Sequence, residues 1–274
     1  MPKTIVSLSK PLIPRKRVMV AVALEHAYEL RLARDYGVGV EVQTFGFPQY
    51  LAKDTSKLLQ QMSAKTAELK GPIGLHGPFI DTIHHSPDPE IREVCRIRYL
   101  RAFDMAEAIG AQYVLFHSQF NPVIRVPVYK KSYHDESLRF WPELVEEAEL
   151  RRMPIYIENM FEDDPVPARK VADAIDSPYF KLCLDVAHAA IHSSLDIKEW
   201  IDTCGEHLRH VHVNDCMGKM DDHLGLGQGV LDLPRAFALL KKTGLQLNYV
   251  LETHKNTIAS MRYLGIDKAG PRGA

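Results

Sequence analysis

Nine residues of chelating type follow short apolar runs: His76, His117, Glu158, Asp185, His188, His212, Asp221, His223 and Glu252. Imidazole nitrogen and carboxylate oxygen are the donors that Zn2+ and Mn2+ accept. Most of the nine close a β-like segment: IGLHGPF, YVLFHS, PIYIENM, KLCLDVAHA, HVHVND and YVLETH. Asp185-x-x-His188 and Asp221-x-His223 each place two donors at a strand-to-loop transition. Neither spacing is specific alone, and a lone His76 or His117 reads more readily as a hydrogen-bonded structural histidine. Glu158 and Glu252 are harder to explain as structure, because each ends an apolar strand where an unpaired carboxylate is costly to bury. Across six strands the pattern predicts one site at many strand ends, with a divalent metal, Zn2+ or Mn2+, as cofactor.

Strand ends converge in this way when parallel strands surround one axis. Eight short apolar runs, rich in β-branched and aromatic residues, have the character of strands buried on both faces. They cover 17–23, 38–45, 73–79, 113–118, 154–160, 180–186, 209–215 and 248–254. Helical patterns lie between them, over 25–36, 50–70, 88–110, 136–152, 165–176, 196–207, 232–243 and 255–264. Asp88-Pro89 is a cap followed by proline at the first helical position, and Gly110 is the matching stop. Eight alternations predict an α/β protein, a single (β/α)8 barrel with its site at the C-terminal ends of the strands. The expected domain is 1–274, with the barrel core at about 17–264. The longest irregular segments, 79–88, 119–135 and 214–231, follow ligand-bearing strands and are expected to shape a pocket. No strand is followed by G-x-G-x-x-G or a P-loop, so dinucleotide and nucleotide readings lose their main support.

The 274 residues, with a hydrophobic content of 46% and 25% charged, suit one large core. A formal net charge of −1 argues against a nucleic-acid partner. Four cysteines without a CxxC pair point to a reducing cytosol, hence a cytoplasmic protein. RKRVMVAVAL at 15–24 reads as a first strand rather than a signal peptide, and no run approaches a membrane span. Self-association is left open.

Other polar residues receive plainer readings. His84 and His85 are expected in a solvated loop, and His254 on the same barrel face as Glu252, behind the ligands. His26, His134, His192, His207 and His210 are read as surface or packing residues. Asn159 and Asn214 are placed to orient carboxylates or touch substrate hydroxyls. Arg125, Lys130 and Lys131 fall in the predicted loop after the fourth strand, where they could grip a phosphate. Gly225–Gly229 reads as a tight turn placing Asp221 and His223, and Glu146, Glu147 and Glu149 as a solvated face.

IENMFEDDP, LCLDVAHA, HVHVND and DDHLGLGQG carry a resemblance spanning roughly residues 36–254. The chain resembles the xylose isomerase-like TIM-barrel superfamily, which includes sugar-phosphate isomerases and epimerases and also endonuclease IV. In the epimerase branch the resemblance implies one metal on Glu158, Asp185, His212 and Glu252. Glu158 and Glu252 then serve as the catalytic acid/base pair on a small sugar, sugar phosphate or keto-polyol. In endonuclease IV it implies three zinc ions. His76, His117 and Glu158 would hold the first, the epimerase set the second, and His188, Asp221 and His223 the third. One to three ions per chain are therefore expected. The first strand, VMVAVALEHA, lacks the G-x-H-x-S-x-x-G-G of those endonucleases, and the second carries Glu41 as sugar isomerases often do. The isomerase or epimerase is thus the leading expectation, with a multinuclear phosphoester hydrolase as the alternative. The arginine that commonly follows the seventh-strand histidine is absent, leaving Lys219 as the nearest cation. His188, Asn159, Asn214 and Lys219 are the expected substrate contacts.

Overall fold

The computed structural model describes residues 11–23, 27–51 and 54–268. The expected helix start at residues 25 and 26, with His26, lies outside the described residues. Eight parallel strands close into a barrel in chain order. They are β1 (Val18–Val22), β2 (Gly39–Val42), β3 (Ile73–His76), β4 (Val114–His117), β5 (Ile155–Glu158), β6 (Phe180–Asp185), β7 (Leu208–Val213) and β8 (Asn248–Leu251). Most strands are shorter than the apolar runs that predict them, and the difference is chemical. His76, His117, Glu158 and Asp185 are each the last residue of their strand. Beyond them the chain leaves the sheet.

Ten helices surround the barrel among the described residues: α1 (Ala27–Tyr36), α2 (Pro48–Leu51), α3 (Ser56–Thr66), α4 (Pro89–Ala108), α5 (Pro127–Leu150), α6 (Val166–Ile175), α7 (Val186–His192), α8 (Ile197–Cys204), α9 (Leu233–Lys242) and α10 (Thr257–Tyr263). Local chemistry sets their ends. Asp88 accepts from Glu90 N at 2.8 Å to start α4, and Asp196 forms a capping box with Glu199 at the start of α8. Among the described residues no helix is long and apolar enough to cross a membrane.

The apolar core has two parts. The larger fills the layer between strands and helices, with Trp141, Trp200, Tyr99 and Phe116 among its side chains. The smaller lies inside the barrel and consists of Met19, Ala21, Tyr113, Leu115, Cys183 and Val250, with Tyr156 packed against them. A side chain at Gly74 would place its Cβ 2.0 Å from the Tyr113 ring, so this glycine makes room for tyrosine inside the barrel.

Two expectations need correction here. The loop after β4 does not extend to residue 135, because Pro127, preset for a first helical turn, starts α5 there. Lys130 and Lys131 therefore belong to a helix, and Lys131 pairs with Asp135 one turn on. His84 and His85 are buried rather than solvated. Trp141 Nε1 donates to His84 Nε2 at 3.2 Å, and burial holds the His84 pKa well below the usual histidine range. Their loop folds under the aromatic face of α5, a long-range packing event that local polarity does not reveal.

Candidate metal centre

Seven of the nine chelating residues, His76, His117, Glu158, His188, Asp221, His223 and Glu252, line one cavity of about 190 Å³ together with Gln43. Glu158 is at its centre. Its Oε2 lies 3.2 Å from His117 Nε2 and 3.5 Å from His76 Nε2. Its Oε1 lies 3.0 Å from His212 Nδ1, which is also 3.4 Å from Glu252 Oε1. Two compact donor groups result, His76–His117–Glu158 and Glu158–Asp185–His212–Glu252, each with its donor atoms within 4.8 Å of one another. Glu158 belongs to both. His188, Asp221 and His223 meet through Asp221 Oδ2, at 3.3 Å from His188 Nε2 and 2.9 Å from His223 Nε2.

Backbone bonds aim these donors. Asp185 Oδ1 accepts from Ala187 N and His188 N at 2.7 Å each, starting α7 and leaving Oδ2 without a hydrogen-bond partner. The Asn159 amide clamps the same strand end, accepting from Asp185 N at 2.9 Å and donating to Asp185 O at 3.1 Å. Three histidines have Nδ1 against a backbone carbonyl at 2.9 Å: His76 on Gly77, His188 on Asn159 and His223 on Glu252. Donation there puts the proton on Nδ1 and leaves Nε2 facing the carboxylates. His212 is turned the other way, with Nδ1 in the site. His223 and His254 both have a left-handed backbone, φ 46° and 42°. This conformation is uncommon for non-glycine residues and occurs at functional sites.

The electrostatics are those of a crowded anionic site neutralised by imidazolium. Burial opposes ionisation of Glu158, yet His212 and His117 hold its pKa well below the ordinary range. Asp185 is pushed up to about 7, first by burial and then by the charges of Glu158 and Glu252. Burial works against protonated His223, but the bond to Asp221 and nearby carboxylates raise it to about 9. Among the described residues no lysine or arginine lines the cavity.

These residues fit a divalent ion. Their donors are nitrogen and oxygen, and around one ion at about 2.0–2.2 Å such donors lie roughly 3–4 Å apart. The buried Glu158 Oε2 and Asp185 Oδ2 also lack hydrogen-bond partners. Buried polar atoms are rarely left so, and an ion is one of the accepted reasons.

Some expected contacts are elsewhere. Lys219 is exposed and does not line the cavity, although Asp221 and His223 of the same loop do. The Asn159 amide is occupied by Asp185. Asn214 is buried with both amide atoms unpartnered. Arg125 lines a separate surface hollow with Phe161, Asp163 and His192. The turn at Gly225–Gly229 wraps around Asp215, whose Oδ2 accepts from Gly227 N at 3.0 Å and Gly229 N at 2.9 Å.

Sequence reasoning passed over Gln43, which donates its amide to Glu252 Oε1, and the apolar wall of Phe47, Phe79 and Met160. Alternation along VEVQTF puts Glu41 and Gln43 on one face, a signal that was there to use. Beneath the centre, Cys183, His210 and His212 form another close group. Burial keeps the Cys183 thiol protonated, with a pKa well above its ordinary value.

Comparison with known proteins agrees with this architecture. An uncharacterized protein of Methanocaldococcus jannaschii is 25% identical over 179 residues, 63% of this chain and 61% of the relative. The chain therefore spans about three fifths of that relative's length. A solved Thermus thermophilus protein, described as soaked with ZnCl2, is 30% identical at a TM-score of 0.75, covering 90% of this chain and 96% of its own. A D-tagatose 3-epimerase-like protein superposes with the same TM-score of 0.75 at 21% identity, covering 91% and 97%, and shows the shared fold. Residues 30–266 match the family described as xylose isomerase-like TIM barrel. With that match across the barrel and its strand-end residues, the chain belongs to the xylose isomerase-like TIM-barrel family.

Proposed function

We propose that this protein is a divalent-metal-dependent isomerase or epimerase of a small sugar or related keto-polyol. The observation that carries the reading is the placement of two carboxylates, Glu158 Oε1 and Glu252 Oε1, at 3.0 and 3.4 Å from the same His212 nitrogen. Glu158, Asp185, His212 and Glu252 would hold Zn2+ or Mn2+. When bound, the ion supplies Lewis acidity that polarises a carbonyl and acidifies the neighbouring carbon-bound proton. One glutamate takes that proton and returns it to the adjacent carbon, or the second delivers one to the opposite face. Gln43 orients Glu252 through its amide. Phe47, Phe79 and Met160 exclude water from one side of the substrate.

Among the described residues the lining holds no lysine or arginine, which favours an unphosphorylated substrate, since phosphate recognition draws on such cations. The epimerase-like and zinc-soaked structures are in keeping with this chemistry. The four cysteines are buried and unpaired, in keeping with a reducing compartment, and we read residues 1–274 as one domain.

The test is exchange of a carbon-bound substrate proton with solvent deuterium across a panel of ketoses and aldoses, using metal-loaded protein. Exchange that chelator abolishes and metal restores is expected. A loaded protein silent across the panel would remove the reading. A second reading, a multinuclear phosphoester hydrolase, is favoured by one observation: Glu158 turns Oε2 to His76 and His117, a bridging disposition. Paired ions would then steady both the attacking and the leaving oxygen. Cleavage of a simple phosphodiester or of abasic-site DNA by loaded protein tests it, and inert protein excludes it.

A further inference from the structure

We propose that Glu41 is a positioning residue for the metal centre: its carboxylate, in the barrel interior, holds His212 with the proton on Nε2 and the Nδ1 lone pair turned toward Glu158, Asp185 and Glu252. The inference rests on the metal-centre reading and adds a residue that lies outside the cavity lining.

The argument begins with the histidine that differs from its neighbours. His76, His188 and His223 each have Nδ1 against a backbone carbonyl at 2.9 Å, which leaves Nε2 for the site. His212 faces the site with Nδ1, 3.0 Å from Glu158 Oε1. A neutral imidazole offers one N–H and one lone pair, so His212 needs an acceptor at Nε2. The acceptor is Glu41 Oε1, at 3.1 Å. The two atoms are in range but off line, and neither has another hydrogen-bond partner. A small rotation of the ring would close the bond.

Glu41 is itself held. Tyr113 donates its hydroxyl to Glu41 Oε2 at 2.8 Å, and His210 Nε2 lies 3.1 Å from the same oxygen. Glu41, His210 and His212 are fully buried at 0% exposure, and no lysine or arginine pairs with Glu41 among the described ion pairs. Packing alone gives no reason for a carboxylate inside a barrel. Its register is that of an interior position, since Glu41 pairs with Ala21 of the inner core. A carboxylate bonded to the far nitrogen of a ligand histidine fixes its tautomer and ring orientation, and losing such a partner typically weakens metal affinity about 10–100-fold.

The experiment measures zinc affinity by competition with a fluorescent chelator, and the His212 tautomer by nitrogen-15 NMR, assigned with His212→Ala. In wild type the metal-free ring is expected to carry a proton on Nε2, hydrogen-bonded to Glu41, whether or not Nδ1 is protonated toward Glu158 as well. Glu41→Gln, nearly isosteric, should bind zinc about 10–100-fold more weakly and lose that tautomer preference, because the amide can turn its own N–H toward the ring. Tyr113→Phe, which keeps the carboxylate but removes an anchor, should lose less affinity. Equal zinc affinity in wild type and Glu41→Gln, or a wild-type ring protonated on Nδ1 alone, overturns the proposal. If wild type takes up no zinc, the metal-centre reading falls, while the tautomer of the metal-free chain still decides the role of Glu41. If Glu41→Gln fails to fold, the wild-type tautomer and the Tyr113→Phe affinity decide it.

Discussion

Glu158 Oε1 lies 3.0 Å from His212 Nδ1 although 54 residues separate them, while Glu158 Oε2 turns toward His76 and His117. One carboxylate thus belongs to two donor groups, and its removal should be felt by both. Glu158→Gln is expected to weaken zinc or manganese binding by at least about 100-fold, more than the loss typical of an outer partner. Elemental analysis of protein purified without chelator, together with a binding titration, checks this. A variant that keeps the wild-type metal content would show that Glu158 is not shared.

Glu252 should separate binding from proton transfer. Glu252→Gln keeps an oxygen donor and the neighbouring Gln43, so some metal is expected to remain. Exchange of substrate carbon-bound protons with solvent should fall about 100-fold or more, within the usual range for a lost general base. Proton NMR in deuterium oxide reads the exchange directly, and unchanged exchange would remove Glu252 from the proton path.

Asp215 should control the loop that carries Asp221 and His223. Its carboxylate accepts from Cys216 N at 3.0 Å, Gly227 N at 3.0 Å, Gly229 N at 2.9 Å and Leu231 N at 3.2 Å. A Cβ on Gly229 would lie 2.3 Å from Asp215 Oδ1, so the glycine permits the close approach. Asp215→Ala leaves several backbone donors unpaired and should cost about 2–4 kcal/mol. Thermal unfolding and metal content are expected to fall together. A stable variant with an unchanged metal content would show that the loop is held elsewhere.

Glu162 predicts a pH dependence of opposite sign to the usual carboxylate. Burial raises its pKa from 4.5 to about 7, and its Oε1 has no hydrogen-bond partner. Between those values the folded chain keeps a proton that the unfolded chain releases. The contribution is therefore full below 4.5 and lost as pH rises through 7, with a ceiling of about 3 kcal/mol. Glu162→Gln cannot ionise, so its advantage over wild type in melting temperature should grow from pH 5 to pH 8. A constant difference across that range would contradict the assignment.

The sequence by itself determined the barrel and the positions at which its chemistry-bearing residues stand. Strands buried on both faces must be short and apolar, and a polar residue closing such a strand marks where the chain leaves the core. His76, His117, Glu158 and Asp185 could be read from that rule alone. Only the tertiary structure decided which atoms face one another. The turning of Glu158 between two groups and the reversed ring of His212 depend on strands that are distant in sequence. Gln43 behind Glu252 and the burial of His84 under α5 depend on such packing too. Local sequence sets the face on which a side chain stands. Its hydrogen-bond partner is set by closure of the barrel, which brings β2 and β5 to the same His212 of β7.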